Sequence, residues 1–289
     1  MNLLTKDLLA QIEQLQIPSR RRLRQQHRGE RAGLKKGSSL EFSDYREYLP
    51  GDDIRNVDWN VYARTERLFL KLFLEEQSKP VYFVVDASES MNFGEPTKFE
   101  YALALAGALS YVSLLNYDQP RMLLVQEASF QMIRISSISD FFPAMRRLEQ
   151  KKPGGQTKWS SAIRKIVLSN LPKGIFFLMS DFYSADGWDG MKLLAAAGNE
   201  LHCLHILTDE EIDPSLRGDL RLIDAETKSE ADVSISAVVL KSYRTRLKQM
   251  QESLKNTAFH SASTVYNVRT STPLKDLLLY DLRKTGIVT

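Results

Sequence analysis

The sequence of 289 residues holds a single cysteine, Cys203, so no disulfide can form within the chain. That thiol lies in an apolar, strand-like run and is expected to be buried. No apolar run reaches about 18 residues, which argues against a membrane-crossing helix. The N-terminus lacks the apolar core and cleavage site of a signal peptide. Charge of one sign is scarce too: 39 Lys and Arg against 36 Asp and Glu leave +3, too little to point to a nucleic-acid partner. The sequence has no P-loop, no G-x-S-x-G and no Cys/His pairing, which removes the catalytic classes that need them. Neither an internal repeat nor a low-complexity segment occurs. These absences point to a cytoplasmic protein.

A hydrophobic content of 43% and a charged content of 26% are those of a globular protein. A chain of this length can bury roughly three quarters of its unfolded surface. One stretch organises the rest. Residues 80–86 (PVYFVVD) form a short apolar run, rich in β-branched and aromatic residues, that reads as a buried strand ending in an acid. Ser88 and Ser90 follow at alternate positions, and 98–116 reads as a helix dense in Ala and Leu. Asp86, Ser88 and Ser90 therefore fall at the carboxyl end of a strand, before a helix, where ligands bind in open α/β sheets. One carboxylate and two hydroxyls suit a hard cation such as magnesium, which takes oxygen ligands and keeps several waters. A hydrogen-bonded turn would use the same residue types.

Two later stretches add to this set. Residues 153–157 (PGGQT) are a glycine turn that delivers the Thr157 hydroxyl just before a helix over 160–170. Residues 175–182 (IFFLMSDF) are a second buried-strand pattern, ending in Asp181. The order and spacing of Asp86, Ser88, Ser90, Thr157 and Asp181 resemble the metal-ion-dependent adhesion site of the von Willebrand factor A-type family. The resemblance implies that the serines and the threonine sit on or near the metal. It implies that the aspartates act directly or through water, and that a partner's Asp or Glu completes the octahedron. The ion implied is magnesium, with manganese as the alternative. Glu89 departs from the family's usual small residue and adds charge at the mouth. Glu89, Asn92, Phe93, Gln156, Phe182 and Tyr183 are expected to form a partner-binding rim.

The segment 37–76 mixes aromatic residues with Asp and Arg. Its Arg46, Arg55 and Arg64 are expected to pair with Asp44, Asp52, Asp53 or Asp58, and Trp59 is expected to be largely buried. Residues 68–74 read as a strand. The run GSSLEFSDYREYLPGDDIRNVDWNVYARTERLFLKLFLEE, followed by VVDASESM, resembles the hallmark of bacterial domain-of-unknown-function family 58, in its short soluble form. LRLIDAETKSE and PLKDLLLYDLRKTG extend the likeness over nearly the whole chain. Members of that family often accompany MoxR-type AAA+ ATPases. The resemblance thus implies an adaptor or chaperone-like partner of such an ATPase, at most peripheral to the inner membrane.

Elsewhere, 1–17 carries Leu4, Leu8, Ile12 and Leu15 at helical spacing, and 19–36 is a strongly basic linker. Residues 121–126 and 131–135 fit a hairpin, and 140–148 a helix with Asp140 as its cap. Residues 201–207 read as a strand in which His202 and His205 flank Cys203, a spacing that matches no metal motif. Residues 219–224 read as a strand, 226–232 as a polar turn and 237–257 as a long helix. A last strand spans 265–268, before a helix capped by Thr272.

The expected fold is α/β: a von Willebrand A-like, mostly parallel sheet flanked by helices, with an N-terminal helix and a strand-containing extension. Residues 1–36 are the helix and linker, 37–79 the aromatic and charged segment packed on the main domain, and 80–289 the main domain. The expected function is a non-enzymatic, magnesium-dependent protein-binding module. The alternative is a magnesium-dependent phosphoryl hydrolase or nuclease using Asp86 and Asp181. Ser88 stands where one phosphatase class needs a second acid, and two-metal hydrolases need more carboxylates than this set supplies.

Overall fold

The computed structural model describes residues 3–19, 41–74, 78–184, 186–224 and 228–289. The basic linker over 20–36 lies outside the described residues. The chain divides into two compact units, Met1–Arg21 with Lys79–Thr289, and Arg22–Ser78.

The main unit begins with a short helix, α1 (Lys6–Gln11), capped by the Thr5 hydroxyl. The helix stops well before residue 17. Gln16 instead exchanges both backbone hydrogen bonds with Thr289, so this stretch finds its partners at the C-terminus. Leu15 and Ile17 are still buried.

The small unit is a hairpin of β1 (Glu41–Glu47) against β2 (Phe69–Leu74), antiparallel, with helix α2 (Trp59–Thr65) between them. Asp58 caps α2 by accepting from the Asn60 and Val61 N–H groups, and it also accepts from the Tyr45 hydroxyl at 2.9 Å. Arg46 pairs with Asp52 at 2.9 Å and Arg55 with Asp53 at 2.7 Å. Both pairs lie on the surface, where ion pairs contribute little. Trp59 is 59% exposed, contrary to the expectation of burial. The physical reason is size: among the described residues of this unit only Val57, Asp58 and Leu70 are buried. A core that small does not enclose an indole, which instead meets Tyr62 edge-on.

The main sheet runs through β3 (Pro80–Asp86), β4 (Gln119–Gln126), β5 (Ser129–Arg134), β6 (Ile175–Ser180), β7 (Glu200–Leu207) and, at the far edge, Thr264–Arg269. Its spatial order is β5-β4-β3-β6-β7 and then Thr264–Arg269. All pairings are parallel except β4 with β5, the expected antiparallel edge. Relabelled by sequence within the sheet, the order is that of doubly wound α/β folds, and the fold is the von Willebrand A-like arrangement expected.

Alternate residues of each strand feed two cores. Val81, Phe83 and Val85 pack with α1, α3 (Lys98–Leu115), α4 (Ile138–Glu149) and the C-terminal helical turns on one face. Tyr82 and Val84 pack with α5 (Trp159–Leu168), α6 (Asp186–Ala196) and the long helix Ala237–His260 on the other. Helix α3 is apolar nearly all round and is buried accordingly.

Three local expectations are corrected. Ser137, not Asp140, caps α4, accepting from the Asp140 N–H. Residues 230–232 do not stay in a polar turn: β8 (Gly218–Ile223) pairs antiparallel with β9 (Glu230–Ile235) in a separate ribbon. Most of both strands is exposed, so no alternating apolar signal marks the second. At the C-terminus Pro273, not Thr272, flanks the helix, whose middle turn, Leu277–Asp281, is a π-helix. Between β7 and β8 lies the short helix α7 (Asp209–Ile212). Among the described residues no helix is long and apolar enough to cross a membrane.

Candidate functional site

β3 and β6 are neighbours in the sheet, yet the helices that follow them, α3 and α6, pack on opposite faces. The carboxyl ends of these two strands therefore flank an open crevice, the switch point at which such sheets bind ligands. Asp86 ends β3 there. Its Oδ1 accepts from the Ser88 N–H at 3.0 Å and the Thr157 hydroxyl at 2.8 Å. Its Oδ2 accepts from the Ser180 hydroxyl at 2.6 Å and the Trp159 indole N–H at 3.3 Å. Burial, together with the nearby Asp181 carboxylate, pushes the Asp86 carboxyl above its ordinary range against the pull of these donors.

Ser88 opens the 3₁₀ turn Glu89–Met91, which Met91 anchors in the core. The Ser88 and Ser90 hydroxyl oxygens stand 3.0 Å apart. The loop bearing Thr157 is stitched to this turn: the Glu89 N–H donates to Gly155 O and the Gly154 N–H to Ala87 O, both at 2.9 Å. Gly155 takes a φ of 68°, the left-handed conformation that glycine tolerates at no cost.

Asp181 follows β6. Its Oδ2 accepts from the Lys98 ammonium at 2.7 Å, and the same ammonium donates to Glu211 Oε1 at 2.5 Å. Burial alone would lower the Lys98 ammonium, but Asp181 and Glu211 outweigh it and hold it above its ordinary range. Asp86, Ser88, Ser90, Thr157 and Asp181 all line one cavity of about 310 Å³, with Ser180, Tyr183 and Asp224.

A hydroxyl that donates its own proton keeps its lone pairs for a cation, and Thr157 is held in that state by Asp86. In an octahedron with magnesium–oxygen distances of about 2.0–2.1 Å, adjacent ligands are about 2.9 Å apart. The Ser88–Ser90 separation of 3.0 Å matches such an edge. The donor set fits a hard cation. It does not fit zinc, and among the described residues no cluster of three or more His, Cys, Asp or Glu could hold a metal.

The family model described as "Protein of unknown function DUF58" matches residues 44–253. The chain belongs to this family. The uncharacterized protein Rv1480 of Mycobacterium tuberculosis is 25% identical over 234 residues, 79% of this chain and 74% of that one. Among solved structures, the conserved hypothetical protein BatB from Bacteroides thetaiotaomicron is 16% identical, with a TM-score of 0.43 over 72% of this chain and 99% of that one. The SpRpn10 VWA domain is 13% identical, with a TM-score of 0.39 over 70% of this chain and 94% of that one.

In this DUF58 chain the expected rim divides. Gln156 and Tyr183 line the cavity, whereas Glu89 and Asn92, on the adjoining turn, and Phe93, just after it, lie outside its lining. Phe93 and Tyr183 are 48% and 45% exposed. Phe182 is not at the rim: it is buried, its ring stacked on Trp159. A φ of 49° at Phe182 and a hydrogen bond from its N–H to Ser180 Oγ turn the chain so that the side chain enters the core.

Four contributors escape a reading of the sequence: Ser180, Trp159, Lys98 and Glu211. Lys98 had one signal, the only basic residue of a helix apolar nearly all round. Glu211 had another, since Thr208 and Glu211 form a capping box. His202 stacks on Phe177 and bonds Thr264 on one face of the strand, while Cys203 and His205 point to the other, where Cys203 meets Met191 and His205 bonds Asn267.

Proposed function

We propose that this protein is a divalent-cation-dependent protein-binding module. One observation carries the reading: hydroxyls from two separate loops, Ser88 and Ser90 on one and Thr157 on the other, line a single cavity around a fully hydrogen-bonded acid. In this reading Ser88, Ser90 and Thr157 supply neutral oxygens. Asp86 orients Thr157 and fixes the turn that carries the serines, and Asp181 borders the opposite side. Magnesium, or manganese in its place, would supply an electron-poor open position for a carboxylate. The partner is a protein that offers Asp or Glu, and the family resemblance proposes a MoxR-type AAA+ ATPase. Exposed aromatics beside the cavity, Tyr183 and Phe93, suit such a protein surface.

The hydrolase alternative has less support. Both Asp86 oxygens already accept two hydrogen bonds each, which leaves a poor nucleophile.

The test is binding to a MoxR-type ATPase in magnesium, in chelator, and with Asp181→Ala. Binding should need the ion and weaken with the variant. Chelator-insensitive binding would overturn the gating. Phosphatase, nuclease and ATPase assays on the chain alone belong beside it, since turnover lost in Asp86→Ala would establish the hydrolase instead.

A further inference from the structure

Lys98 is the first residue of α3 and is fully buried. Its ammonium sits 2.7 Å from Asp181 Oδ2, 2.5 Å from Glu211 Oε1 and 5.2 Å from the centre of the Tyr183 ring. Asp181 and Tyr183 also line the cavity. A full positive charge is therefore shared between an acid at the candidate cation site and an acid behind it. Glu211 is held for this role from two sides. Its Oε2 accepts from the Thr208 N–H at 2.9 Å, and its backbone carbonyl accepts from the Tyr243 hydroxyl at 2.6 Å.

We infer that Lys98 is a resident counter-cation that competes with a divalent ion for Asp181, with Glu211 as its alternate seat, and so sets the affinity and ligand preference of the site. The inference rests on the cation-binding reading above. Lys98 sets one positive charge against the Asp181 and Glu211 carboxylates. Without Lys98 the loaded site would be one charge more negative and hold the ion more tightly, while resisting the acidic ligand it is built to take. The lysine thus weakens ion binding and favours a carboxylate from outside.

The test titrates manganese, read by electron paramagnetic resonance, into the full chain as wild type, Lys98→Met, Glu211→Gln and Asp86→Ala. Methionine keeps the length and removes the charge. Glutamine keeps the capping box and leaves the ammonium wholly to Asp181. Lys98→Met should bind manganese about tenfold or more tighter than wild type, and Glu211→Gln about tenfold or more weaker. A purely bracing lysine would leave both within about twofold of wild type while Asp86→Ala loses the ion. That result would overturn the inference and leave the cation reading standing. Manganese binding by Lys98→Met but not by wild type would support the inference. No binding by wild type or any variant would remove both. If Lys98→Met does not fold, the direction of the Glu211→Gln shift decides.

Discussion

Thr157 donates its hydroxyl proton to Asp86 Oδ1 at 2.8 Å across 71 residues of chain. The contact joins the end of β3 to a loop that belongs to α5. It leaves the threonine lone pairs directed away from the acid.

Ion binding should therefore depend on Asp86. A ligand at ten times its dissociation constant stabilises by about 1.4 kcal/mol. For a domain of this size that corresponds to about 3–6 °C in melting temperature. Magnesium should raise the melting point of wild type by that order. Asp86→Ala should abolish the rise, and Thr157→Val should reduce it at little change of shape. Differential scanning fluorimetry reads all three, and equal rises in every protein would remove the cation site.

In the small unit the order of mutational cost should invert the usual one. Trp59 is mostly exposed, so Trp59→Ala should cost less than about 1 kcal/mol. Asp58 is buried, caps α2 and receives the Tyr45 hydroxyl, so Asp58→Ala should cost about 1–2 kcal/mol. Urea unfolding of both variants measures the difference. A larger loss for Trp59→Ala would mean that the indole is covered in solution.

Cys203 should be inert in the folded protein. Burial pushes its thiol up to about 12, so at pH 8 only about one molecule in ten thousand carries the reactive thiolate. A disulfide reagent at pH 8 should modify it only after denaturant is added. Stoichiometric labelling of the native chain at the rate of a free thiol would contradict that burial.

Gly174 should resist even a methyl group. A Cβ there would stand 2.1 Å from Pro80 O, where β6 begins beside β3, with backbone rather than a flexible side chain in the way. Gly174→Ala should cost about 1–3 kcal/mol or more. Gly154→Ala meets only side-chain atoms, the nearest at 3.6 Å, and should cost far less. Thermal melts of the pair test the difference.

Legibility in the sequence followed burial. β3, β6 and β7 are buried along almost their full length, and their unbroken apolar runs announce them. The convergence of Asp86, Ser88, Ser90, Thr157 and Asp181 on one cavity was legible because each closely follows such a run or a glycine turn. β9 was not legible, since a ribbon exposed on both faces needs no apolar alternation. Trp59 misled because aromatic character speaks to burial only when a core exists to receive it. Phe182 misled because the core does not end with the strand: past the acid it still packs with Phe176, Leu178 and Trp159. Lys98 and Glu211 meet across 113 residues, a pairing no local pattern encodes.

The stitching of the Ser88 turn to the Gly154–Gly155 loop has a practical corollary. The hydroxyls, the acid that orients Thr157 and the acid opposite arrive from separate stretches, held in place by the central sheet and by hydrogen bonds between the two loops. A peptide carrying 86–90, or a fragment carrying 154–181, holds the right side chains without the geometry. The cavity is not portable as a short motif, and any fragment meant to keep its geometry must bring the sheet with it.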